Sequence, residues 1–262
     1  LHAENHIEMK QNVILFSCAL TAATLLGGCS YRYMGVSQRS RIVIDSRYDA
    51  HPDAQAATFM KPYKARVDSL MGPVVGKVAR NLNAYQPESE LSNLLSDIMV
   101  WAGKLYGEKP DFGVYNMGGI RASLIKGNVT YGDILDVAPF ENKICFLTLN
   151  GTQVLQLFKE MVAQGGQGLS HSVRLVMTHD GKLVSAKING ADIDPERDYR
   201  IATIDYVAQG NDKMNAFKLK RDLVSPQDES NNARNIIVKY FQEQTAKGQT
   251  VDAQVEGRIK IE

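Results

Sequence analysis

The sequence predicts an α/β fold with mixed strands, and three observations carry that prediction. Helix-period apolar runs alternate with strand-like runs along most of the chain. Gly-containing turn pairs punctuate the C-terminal half, at Asp180-Gly181 and Asn189-Gly190. The balance of 30 Lys+Arg against 29 Asp+Glu, with 44% hydrophobic residues, suits an ordinary globular core. A chain so near neutrality lacks the basic footprint of a nucleic-acid polymer partner. No internal repeat or low-complexity block is present, so one domain is expected over residues 38–262.

The first thirty residues read as an address. "MKQNVILFSCALTAATLLGGCS" from Met9 places Lys10 before an apolar run, Val13 to Leu26, that closes on small residues and Cys29. That is the plan of a secretory signal, and the run falls short of the ~18 apolar residues of a membrane span. Residues 1–28 are therefore expected to be a leader and signal peptide, with "LHAENHIE" as extra translated sequence, and 29–37 a tether. Cys18 lies in the signal, which leaves Cys145 alone in the body. It cannot form an internal disulfide, and its setting in "KICFLTL" suits buried packing.

The elements follow in order. "RIVID" (41–45) predicts a strand, "AQAATFMKPYKARVDSLM" a helix interrupted near Pro62, and "PVVGKVA" a strand. Over 88–106, Leu91, Leu94, Leu95, Ile98, Met99 and Ala102 share one helical face. "DFGVYN" is a short strand, "KICFLTLNG" another, and "TQVLQLFKEMVAQ" a helix ending at Gly165-Gly166. Two hairpins follow, then the strand "YRIATIDYV", a helix over 229–247 and a last strand, "EGRIKI".

Three short stretches carry chemistry. In "YNMGGIRAS", a strand ends at Asn116 and Gly118-Gly119 let backbone approach a ligand without a Cβ. Free N–H groups there would form an anion-accepting concavity, with Asn116 as an amide donor and Arg121 as a planar fork for phosphate oxygens. In "VAPFEN", Phe140 follows a proline and belongs to a loop. In "ATIDYVAQGNDK", Tyr206 precedes a Gln-Gly-Asn-Asp loop. Two loop aromatics can sandwich a flat ring, and Asp212 can accept hydrogen bonds from a sugar diol.

Together, "NMGGIRASLIKGNVTYGDILDVAPFEN", "IDYVAQGND" and "ESELSNLLSD" resemble the C-terminal domain of the 5′-nucleotidase family, over roughly residues 70–262. The resemblance implies a layered α/β/β/α architecture that holds a nucleotide while a separate metallophosphoesterase domain carries two metals. It also implies roles: Asn116 and Arg121 at the phosphate, with Gly118 and Gly119 between them; Phe140 and Tyr206 stacked on the base; Asn142 at the base; Asp212 on the ribose hydroxyls. Met117 stands where the family pattern has the first glycine of "GGGIR", and "QGNDK" where it has "NGGDG". The arginine that usually precedes the "S-N-x-G-N" helix is absent from "YQPESELSN", where Glu88 and Glu90 bring negative charge; Arg80 is the nearest substitute. Cys29 closes a segment resembling the bacterial lipobox, which implies lipidation there. Ser30 after it points to the outer membrane, facing the periplasm.

A two-metal phosphoesterase needs clustered Asp, His and Asn ligands. His51, His171 and His179 are scattered through the body, outside the Asp-x-His, Gly-Asn-His and His-x-His patterns. No P-loop, nucleophile elbow or paired-carboxylate motif is present. The expected function is thus the substrate-specificity component of a split 5′-nucleotidase in nucleotide catabolism, with no catalytic residue, metal or cofactor of its own and a separate metallophosphoesterase polypeptide as partner. The alternatives are a non-catalytic nucleotide- or nucleoside-binding lipoprotein, and a module whose pocket no longer binds.

Overall fold

A computed structural model of the chain describes residues 40–50 and 52–262; the leader, Cys29 and the tether lie outside them. The chain divides into two compact units, Leu1–Ala54 and Gln55–Glu262. In the first, "RIVID" is not a strand. Residues 41–44 have no ladder partner among the described residues, Ile44 is 92% exposed, and Asp45 instead accepts from Arg47 N–H to start a 3-10 turn over Ser46–Tyr48. A β-branched apolar run alone does not make a strand; its N–H and C=O groups need a neighbour to pair with.

Helix α1, Ala54–Met71, runs through Pro62 without the expected break. All of it but Met71 is exposed. No helix of the described residues is long and apolar enough to cross a membrane.

The remaining elements follow as β1 (Val74–Val78), α2 (Glu90–Ala102), β2 (Phe112–Tyr115), β3 (Gly127–Thr130), α3 (Tyr131–Val137), β4 (Ile144–Asn150), α4 (Gly151–Val162), β5 (Gly168–Leu169), β6 (Val173–Met177), β7 (Leu183–Ile188), β8 (Ala191–Asp192), β9 (Asp198–Ile204), α5 (Asp205–Ala208), β10 (Arg221–Val224), α6 (Ala233–Ala246) and β11 (Ile259–Ile261). Three helices open on reciprocal caps that satisfy their first free N–H groups: Ser89 with Ser92 for α2, Thr130 with Asp133 for α3, Asn150 with Gln153 for α4. The apolar face read for α2 is buried throughout, from Leu91 to Ala102.

Strands form a five-stranded sheet in the order β10-β4-β9-β2-β5, a four-stranded sheet β11-β6-β7-β8, and an antiparallel pair β1-β3. This is the mixed α/β class expected. Both Gly turns close hairpins, with Gly181 and Gly190 at positive φ. Helix α2 lies on β2 so closely that a Cβ at Gly113 would meet the Ser96 carbonyl. Cys145 is buried in β4 as a packing residue, its thiol pushed up to about 12 by burial.

One topological fact positions the site. Strand β9 runs parallel to β2 and antiparallel to β4, with Phe112 opposite Ile201 and Ile144 opposite Ile204. The C-terminal ends of β2 and β9 and the start of β4 therefore share one end of the sheet. The three stretches singled out in the sequence leave the sheet there, as ligand crevices in such sheets commonly do.

Candidate functional site

Asn116 follows the last residue of β2, Phe140 and Asn142 sit just before β4, and Tyr206 is the second residue of α5, just after β9. Together with Gly118, Gly119 and Asp212 they line one cleft of about 200 Å³. Seven of the eight ligand-facing residues expected from sequence meet in it; Arg121 is not among the lining residues. The rings are presented, not packed: Phe140 is 47% and Tyr206 40% exposed. Tyr206 is on a short helix instead of the expected loop, and Asp205 Oδ1 accepts from its backbone N–H at 2.8 Å.

Asp212 ties the cleft together. Its Oδ2 accepts from Asn116 Nδ2 at 2.6 Å and its Oδ1 from Tyr206 Oη at 3.0 Å. The carboxylate hydrogen bond raises the Tyr206 phenol above its ordinary value. A carboxylate offers about four lone-pair sites, so two remain for a ligand. Asp212 and Lys213 both stand in the left-handed region, at φ 50° and 56°. Backbone held this way is costly and concentrates where geometry matters. Asn116 is buried, and its Oδ1 has no hydrogen-bond partner. That oxygen lies beneath Gly119, where a Cβ would stand 2.6 Å from it.

The turn itself departs from the expected concavity. Met117 N–H donates to Gln167 Oε1 at 2.8 Å, Gly119 N–H to Asn116 O, Ile120 N–H to Met117 O and Arg121 N–H to Val137 O. Among the described residues only the Gly118 N–H is left over: the 3-10 turn uses the Gly119 and Ile120 donors, and Gln167 and Val137 take those of Met117 and Arg121. One backbone donor is therefore available instead of a nest. Arg121 is exposed, and its one side-chain hydrogen bond among the described residues, Nη1 to Gly118 O at 3.5 Å, is loose. It lies on the turn as a guanidinium with no carboxylate partner among the described residues.

Two upstream expectations are also corrected. Arg80 pairs with Asp252 at 2.6 Å and does not line the cleft. Glu88 does not line the cleft: it is buried, and its Oε1 accepts from Asn93 Nδ2 and from Glu256 N–H, both at 2.7 Å. In the segment without the usual arginine, Gln86 Nε2 donates to the carbonyls of Gln164 and Gly166. Gln86 thus holds the loop that delivers Gln167 to Met117. The sequence carries one signal for Gln167, a polar residue set between Gly166 and Gly168.

Chemically, the cleft offers two ring faces, an anchored carboxylate and one backbone N–H, and the Arg121 guanidinium lies outside its lining on the same turn. A family model for the 5′-nucleotidase C-terminal domain matches residues 71–219. The chain belongs to this family. Its relatives include protein UshA of Yersinia enterocolitica, 33% identical over 160 residues, which are 59% of this chain and 28% of that protein. Endonuclease YhcR of Bacillus subtilis is 27% identical over 237 residues, 86% of this chain and 18% of the relative. Among solved structures, the 5′-nucleotidase precursor from Thermus thermophilus superposes with a TM-score of 0.70 at 26% identity, over 81% of this chain and 44% of that one. The Haemophilus influenzae NAD nucleotidase shares the fold, with a TM-score of 0.59 at 22% identity, over 86% of this chain and 46% of that one. The chain thus spans under half the length of each of these relatives.

Within the family pattern, Lys213 occupies the place of the last glycine of "NGGDG". Its φ of 56° gives the physical reason that a glycine suits that place.

Proposed function

We propose that this 5′-nucleotidase-family domain binds a nucleotide through its base and ribose and serves as the substrate-specificity component of a split 5′-nucleotidase. The observation that carries the reading is the single cleft shared by Asn116, Gly118, Gly119, Phe140, Asn142, Tyr206 and Asp212. In this reading Phe140 and Tyr206 take the two faces of the base and Asn142 meets its edge. Asp212 accepts from the ribose hydroxyls, and Asn116, the Gly118 N–H and Arg121 direct the phosphate outward. The cleft, about 200 Å³, is below the ~300–1,000 Å³ of a complete small-molecule site. A surface of that size suits half a site, closed by a second body that meets the phosphate.

The second body is a metallophosphoesterase carrying the hydrolytic metals, on a separate polypeptide. Among the described residues no group of three or more His, Cys, Asp or Glu side chains could hold a metal ion. Holding the base at a distance helps hydrolysis only by placing the phosphate at those metals. Cys29 would anchor the protein in the cell envelope, at the outer membrane.

Purified alone with Mn²⁺, Zn²⁺ or Mg²⁺, the protein should release no phosphate from AMP above a protein-free control. Mixed with a metallophosphoesterase from the same gene cluster, it should raise that enzyme's kcat/KM for nucleotides over simple phosphate esters, and Phe140→Ala should abolish the gain. Metal-dependent turnover by this chain alone would overturn the split-enzyme reading. AMP binding without any effect on the partner would favour a non-catalytic nucleotide-binding lipoprotein.

A further inference from the structure

Phe140 has no hydrogen-bonding side chain, yet its ring must be held for a base to stack on it. The frame comes from the first turn of α6. Arg234, the second residue of that helix, is buried and donates three ways: Nε to Ala138 O at 3.3 Å, Nη2 to Pro139 O at 3.3 Å, and Nη2 to Glu141 Oε1 at 2.7 Å. Asn232 Nδ2 donates to the other Glu141 oxygen at 2.7 Å, and Ala233 N–H to Asn142 O at 2.8 Å. Ala138, Pro139, Glu141 and Asn142 are thus each gripped by residues 232–234. Phe140 alone is left free, with its ring outward.

We infer that Arg234 is a positioning residue for Phe140, fixing the loop from which the ring closes the base end of the cleft. The inference rests on the nucleotide-binding reading for its consequence, though not for its geometry. Only a guanidinium supplies several N–H donors in a rigid fork, so one side chain can serve two carbonyls and a carboxylate together. A lysine would keep the charge and lose the fork. Glu141, largely exposed, completes the clamp from outside: the Arg234 hydrogen bond holds its carboxyl below the usual range.

The test uses the whole chain, adenosine as probe, and hydrogen exchange of residues 138–142 as a ligand-free readout. Arg234→Lys should speed exchange in that segment and weaken adenosine binding about five- to tenfold, the lower part of what loss of base stacking costs. In a Phe140→Ala background the same substitution should cost nothing further, because its effect passes through the ring. Additive losses would show Arg234 to be merely structural. Glu141→Ala alters an exposed side chain and should move exchange and binding in the same direction, which keeps the test decisive if Arg234→Lys folds poorly. Unchanged exchange and binding in Glu141→Ala would overturn the clamp. Should the wild type take up no adenosine at all, the nucleotide-binding reading fails; faster exchange confined to 138–142 would still establish the clamp, and unchanged exchange would remove it too.

Discussion

Tyr206 Oη donates to Asp212 Oδ1 at 3.0 Å, so the expected base-stacking ring and the expected ribose acceptor are one hydrogen-bonded unit. Tyr206→Phe keeps the ring and removes the link, whereas Asp212→Ala removes the acceptor. If Asp212 holds the sugar, Asp212→Ala should weaken adenosine by about 1.5–3 kcal/mol, the range for a hydrogen bond to a charged group, and leave free adenine unchanged. Tyr206→Phe should change both ligands little. Matching losses of adenine in the two variants would mean that Asp212 acts only by aiming the Tyr206 ring.

Phe140→Ala should cost about 1–3 kcal/mol in adenosine binding, the range for a base stacked on an aromatic side chain. Because the ring is 47% exposed, thermal unfolding should barely move. A collapsed melt would assign the ring to the core.

Arg121→Ala should separate phosphate from base. It is exposed and unpaired by any carboxylate among the described residues, so its loss should leave the fold intact. AMP should weaken more than adenosine, measured by calorimetry. Equal losses would show that Arg121 does not face the phosphate.

Gly119→Ala probes the floor of the cleft. The new Cβ would stand 2.6 Å from Asn116 Oδ1, so Asn116 must move and its 2.6 Å bond to Asp212 must break or stretch. The variant should fold with a lowered Tm and bind adenosine more weakly than wild type. Wild-type affinity would dissociate Asn116 from the site.

The acid limb of stability should report Glu243. Hydrogen bonds from Lys104 and Lys247 hold its carboxyl down to about 2, against ~4.3 in an unfolded chain. A depressed folded value means that the stabilisation is fully present above the unfolded value. It is lost as pH falls from there toward the folded one. The Tm gap between wild type and Glu243→Gln should therefore be constant from neutral pH to about 5 and narrow below ~4. A gap independent of pH would leave the two lysine contacts without electrostatic consequence.

The address is tested outside the described residues. Cys29→Ser, expressed in the source bacterium, should shift the protein from the membrane to the soluble fraction. A variant still sedimenting with membranes would exclude lipidation at Cys29 as the anchor.

By itself the sequence determined whatever depends on local spacing. Six apolar residues from Leu91 to Ala102 recur at helical period, and all six are buried on α2. Asp180-Gly181 and Asn189-Gly190 close hairpins because those pairs suit turns that need positive φ. The identities at the cleft were legible too, since a Gly-Gly turn, loop aromatics and an acidic loop are unusual enough to be noticed one by one. Tertiary structure decided what depends on a partner distant in sequence. "RIVID", a β-branched apolar run, reads as a strand yet finds no ladder among the described residues, whereas β10, exposed along its whole length, is a strand because β4 lies beside it. Whether a turn N–H is free depends on who accepts it, and Gln167, fifty residues away, takes the Met117 donor. Glu88 reads as a surface charge until the C-terminal segment buries it, and Arg234 as an ordinary helix arginine until the Phe140 loop folds onto it. A hydrogen bond is satisfied once and in three dimensions, so its partner cannot be read from either residue alone.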